Sequence, residues 1–84
     1  MQKSTKRVRK GASRVFDYSN LLRRIKEVFG KQSMFAKAMG LSERSVSLKL
    51  NNLRDWTQDE MRRCCEVLML PYAEIPNYFF ILNK

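Results

Sequence analysis

The stretch from Gln32 to Asn51 constrains this chain more than any other. Two short segments with apolar residues at helical spacing are joined by only Met39-Gly40-Leu41-Ser42. Phe35, Ala36 and Met39 form the stripe of the first segment, Val46 and Leu50 that of the second. Glycine supplies the positive φ that a sharp turn needs. Ala36 is small enough for a second helix to approach closely, and Ser42 is a strong N-cap type. The pattern predicts two packed helices, Gln32 to Met39 and Glu43 to Asn51, with Arg44, Ser47 and Leu48 on the face turned away from the stripe. Periodicity alone establishes the packing and says nothing of a partner.

The flanks read as helices too. Leu21, Leu22, Ile25, Val28 and Phe29 repeat at helical spacing from about Tyr18 to Phe29, with Asp17 or Ser19 as N-cap and Gly30 as the stop. Leu53 extends the buried stripe of the third helix, and Trp56 reads as a core or loop-packing residue. Thr57-Gln58-Asp59-Glu60 is a capping box that opens a fourth helix, with Met61, Cys64, Cys65 and Leu68 facing inward. Pro71 fits the first turn of a short fifth helix that ends by Ile75, because Pro76 disfavours helix in the residue before it. The apolar tail Tyr78 to Leu82 either closes the core or forms a dimer contact. With 84 residues there is room for one small domain. The expected fold is all-α, five short helices around one core with a central helix-turn-helix.

Composition narrows the function. The chain has no histidine, which removes the commonest general base and zinc ligand. The two cysteines are neighbours, a spacing that makes neither a useful disulfide loop nor a metal clip. No Gly-rich phosphate loop or telling pair of carboxylates is present. The expectation is no enzyme, no cofactor, no metal, no small-molecule ligand, no membrane span, and a reducing cytoplasmic setting. A net charge of +9 points to a polyanionic partner, nucleic acid first. Residues 1–14 carry +6 of it, however, leaving +3 for residues 15–84. The first 14 residues read as a disordered basic extension, either an arm for phosphates or a minor groove, or a leader outside the working domain.

The run from Gln32 to Asn52 resembles the helix-turn-helix of the lambda-repressor-like family. Gln32, Ala36, Gly40 and Val46 match that family's pattern, and Phe16-Asp17-Tyr18-Ser19-Asn20-Leu21 with Ser47 to Asn51 is similar to small phage Cro-like regulators. Those regulators begin Met-Phe-Asp-Tyr where this chain reads Val15-Phe16-Asp17-Tyr18. Valine is what an internal GUG start would encode, so residues 1–14 are also readable as a translated leader or an extension. Lys49 departs from the family, which has an apolar residue there, and Asn52 replaces a common glycine.

The resemblance implies a sequence-specific transcriptional regulator binding double-stranded operator DNA, as a homodimer on two half-sites. It implies that Glu43, Arg44, Ser47 and Leu48 face base edges, with Arg44 pairing to guanine and Leu48 packing on a thymine methyl. It implies Lys31, Gln32, Lys37, Ser42, Lys49, Asn51, Asn52 and Arg54 as candidate phosphate contacts. The alternative is an antirepressor, a protein-binding module that uses the same fold to grip a repressor. An exposed Leu48 and the small charge of the folded part favour it.

Overall fold

The structure, a computed structural model, describes residues 15–83. The expectations for residues 1–14 lie outside the described residues. Five α-helices follow one another: α1 Ser19–Phe29, α2 Gln32–Met39, α3 Glu43–Leu50, α4 Gln58–Leu68 and α5 Ile75–Phe79, the last running directly out of a 3-10 turn at Tyr72–Glu74. Among the described residues the β-structure is one antiparallel bridge, Phe16 to Leu82. All five helices serve one core. Leu21 and Ile25 come from α1, Phe35, Ala36 and Met39 from α2, Val46 and Leu50 from α3, Cys64 and Leu68 from α4, and Phe79 from α5. Trp56 joins them from the α3–α4 loop, edge-on to Phe79 with ring centroids 5.5 Å apart.

The helix ends explain how so short a chain turns so often. Leu41, Leu53 and Leu70 each donate a backbone N–H five residues back, to Ala36, Leu48 and Cys65. The residue between helix and bond is left-handed each time: Gly40 at φ 72°, Asn52 at φ 63° and Met69 at φ 57°. This is the Schellman closure, which gives the last carbonyls of a helix their partners. Glycine and asparagine tolerate that φ, whereas Met69 holds it against its own side chain.

Arginines tie helices together at the same ends. Arg24 Nε donates to the Leu68 carbonyl at 3.0 Å, and Arg63 Nη1 donates to the Met39 carbonyl at 3.1 Å. Cations there also suit the negative end of a helix.

The expected caps of α3 and α4 are present. Ser42 Oγ accepts the Ser45 N–H at 3.0 Å. Thr57 N–H donates to Glu60 Oε1 at 2.9 Å while Glu60 N–H donates to Thr57 Oγ1 at 3.1 Å. Burial alone would push the Glu60 carboxyl up, but the bonds from Thr57 and from Lys49 outweigh it and hold the group below its usual 4.5. A carboxylate depressed in the folded state stabilises the fold above its unfolded pKa and loses that contribution as pH falls through the folded value. Urea midpoints should therefore drop as pH falls below about 4.5, and Glu60→Gln should be less stable near neutrality with a flatter acid limb.

Four details differ from the sequence expectation. The first helix starts at Ser19, because the Asp17 carboxylate accepts the N–H (2.9 Å) and hydroxyl of Ser19 in a turn ahead of the helix. Leu22 lies on the flank of its stripe and is exposed. Leu53 is 62% exposed, since the left-handed Asn52 breaks the helical register just before it. The fifth helix does not end by Ile75: Pro76 sits in the first turn of α5, where a missing N–H costs nothing, so the chain restarts a helix there.

Candidate functional site

The outward face of α3 holds the four residues expected to read bases. Glu43 and Arg44 are exposed, Ser47 and Leu48 are half-buried, and with Gln32 they line a shallow depression of about 440 Å³. Glu43 and Arg44 form no ion pair with any described residue, and their charges cancel. The face is thus nearly neutral and polar apart from Leu48.

The eight phosphate candidates divide. Lys31, Lys37 and Arg54 stay exposed. Gln32 is part of the depression, and the Ser42 hydroxyl is occupied in capping α3. Asn51 Nδ2 donates to the Ser47 carbonyl at 2.7 Å. Lys49 and Asn52 are turned inward, which corrects their place among phosphate contacts. Lys49 is 7% exposed; its Nζ donates to the Asp55 carbonyl and to Glu60 Oε1, both at 2.9 Å, and lies 5.8 Å from the centre of the Trp56 ring. A cation so placed is held by two oxygens and is already paired with the Glu60 carboxylate. Asn52 is spent on the backbone of Phe16: its Oδ1 accepts the Phe16 N–H at 3.0 Å and its Nδ2 donates to the Phe16 carbonyl at 2.9 Å.

A second surface escaped the sequence. Phe16, Tyr18, Asp55, Trp56, Met61, Phe79 and Phe80 line a depression of about 310 Å³. A second one of about 340 Å³, lined by Gln58, Met61, Ile75 and Phe80, shares Met61 and Phe80 with it. Together they form a groove between the two ends of the described segment and the start of α4, walled mostly by aromatic side chains. Phe80 is 48% exposed on its rim, with Leu82 and Val15 also exposed nearby in the paired terminal segments. Asp55 lies beside Tyr18; burial, then the Asp55 charge, push the Tyr18 phenol up. Trp56 Nε1 is buried without a hydrogen-bond partner among the described residues. The apolar tail was the one signal in the sequence. Nothing in it said that the tail would meet Phe16, Trp56 and Met61, which lie 64, 24 and 19 positions before Phe80.

Aromatic and Met side chains on an open concavity are what protein interfaces concentrate at their centres. Neither surface carries a catalytic constellation. Both cysteines are buried, and burial first pushes each thiol up, Cys64 far up, away from the thiolate that does chemistry. Among the described residues, no group of His, Cys, Asp and Glu is placed to hold a metal ion, and no helix is long and apolar enough to cross a membrane.

Comparison with solved structures finds a likeness to the modulator of repression (MOR) of the temperate bacteriophage TP901-1 from Lactococcus lactis, known from its solution structure. The two chains are 53% identical, with a TM-score of 0.71, over 79% of this chain and 89% of that one. No curated protein sequence gives a significant match. The expected identity as a DNA-binding regulator of repressor or Cro type is overturned by this likeness, since the matching protein is described as modulating repression. A family profile described as "protein of unknown function (DUF739)" matches residues 14–81, nearly all of the folded part. The chain belongs to that family.

Proposed function

We propose that this chain modulates repression in a temperate phage by binding a repressor protein, and that the groove of Phe16, Trp56, Met61 and Phe80 is its docking surface. The observation that carries the proposal is the 53% identity to a modulator of repression across 89% of that protein. The physical features agree with it. The α3 face is close to neutral, two of its expected phosphate contacts are turned inward, and the groove offers aromatic anchors for a partner. In this proposal α2 and α3 keep the layout of a lambda-repressor-like helix-turn-helix, and the fold has been turned to protein recognition. The module acts by binding alone, without catalysis or cofactor, in the cytoplasm where a repressor works. The reason for expecting a homodimer, two half-sites on operator DNA, goes with the DNA reading.

The test is a titration of the ¹⁵N-labelled protein with the repressor encoded in the same genome. The expected result is saturable shifts at the Phe16, Met61 and Phe80 amides and at the Trp56 indole. Shifts confined to Glu43, Arg44, Ser47 and Leu48 would move the docking surface to α3. No shifts at all would end the protein-binding proposal.

A further inference from the structure

Deepening that proposal, and resting on it, we infer that Asn52 is a positioning residue for the docking groove, holding Phe16 in place as one of its walls. The Asn52 amide acts as a neighbouring strand would. Its Oδ1 takes the Phe16 N–H at 3.0 Å and its Nδ2 reaches the Phe16 carbonyl at 2.9 Å, so one side chain satisfies both backbone groups of a residue 36 positions away. The residues flanking Phe16 are held from the other side by the C-terminal segment. Asp17 N–H donates to the Ile81 carbonyl at 2.8 Å, and Asn83 N–H donates to the Val15 carbonyl at 2.9 Å.

Clamped from both sides, Phe16 presents its ring to the groove. It meets Phe80 nearly at right angles with centroids 5.9 Å apart, and Tyr18 at 6.2 Å. The hold on Phe16 thus also sets the place of Phe80, the exposed aromatic on the rim. Without it the terminal segment keeps its two backbone bonds to residues 81 and 83 but loses the anchor at its centre. A wall that must be ordered when a partner arrives weakens binding.

Position 52 carries two demands at once. The backbone is left-handed, at φ 63°, where glycine and asparagine are at home. The clasp needs one donor and one acceptor on a short arm. Glycine meets the first demand and lacks the arm. Aspartate has the arm and, when ionised, lacks the donor. Asparagine meets both. This accounts physically for an amide at a position that the turn alone would leave to glycine.

The experiment compares Asn52→Gly and Asn52→Asp with the unsubstituted protein. Asn52→Gly keeps the left-handed turn, so the core should stay folded: amide exchange at Leu21, Val46 and Leu68 is unchanged. The Phe16 amide should exchange at least about tenfold faster, and affinity for the repressor of the same genome should fall about tenfold. Asn52→Asp retains an acceptor for the Phe16 N–H and should fall between the two. Unchanged Phe16 exchange in Asn52→Gly overturns the clasp. A released Phe16 with undiminished affinity overturns the positioning role while leaving repressor binding in place. Failure of the unsubstituted protein to bind the repressor overturns both, and is told apart because the exchange result stands without it.

Discussion

Phe79→Ala should lower the stability of the folded part by about 3–5 kcal/mol, the range for truncating a buried aromatic ring. Domains of this size hold about 5–15 kcal/mol in total, so the variant should sit close to its unfolding transition at room temperature. The reason is the position of Phe79. It is 1% exposed and comes from the last helix, yet it packs edge-on against Trp56, which in turn lies under the Lys49 ammonium. Removing the ring opens a cavity where α5 closes the core and takes away one side of the Trp56 site. A urea titration followed by Trp56 fluorescence checks it: the midpoint should fall sharply with an unchanged slope. A fall of less than about 1 kcal/mol would mean that α5 is not part of the cooperative core.

Phe80→Ser should have the opposite profile, a small effect on the fold and a large one on binding. Phe80 follows Phe79 directly but is 48% exposed and lines both depressions of the groove. Phe80 is shared by both depressions, and an aromatic anchor so placed contributes about 2 kcal/mol or more on truncation, equivalent to about a 30-fold loss of affinity. Thermal unfolding should shift by only a few degrees, the loss of one edge contact with Phe16. Lys26→Ala, on the exposed side of α1, should bind as the parent does. Equal affinity of Phe80→Ser and parent for the repressor would remove the groove from the interface.

Much of the fold is legible in the chain, because it is set by local rules. Gly40 between two apolar stripes, Ser42 as a cap and the Thr57–Glu60 box are decided within a few residues of themselves, and each is where the periodicity places it. Where local rules compete with the fold, they fail. Pro76 reads as a stop because proline lacks an N–H, yet the first turn of a new helix has no use for that N–H. Leu53 reads as core because the count continues through Asn52, whose φ of 63° breaks the count.

The candidate site was harder to read for the same reason. Lys49 and Asn52 are polar residues beside a helix that presents its face outward, so a surface role is the natural reading. Their partners are the Asp55 carbonyl, Glu60 and Phe16, and the last lies 36 positions back. The groove is wholly a product of folding. It is built from both ends of the described chain and the loop before α4, and no spacing rule connects them. The choice between reading DNA and gripping a repressor is least legible of all, since both are compatible with the same arrangement of helices and an outward-facing α3.

The most direct measurement is an equilibrium titration of this protein against the repressor of the same genome, run in parallel with operator and random DNA across a range of salt concentrations. The proposal predicts saturable binding to the repressor with a Kd of about 1 μM or tighter, and no preference of this protein alone for operator over random DNA. It is contradicted if the repressor shows no binding while the protein alone selects operator DNA with a log–log salt slope of about −0.9 for each phosphate neutralised.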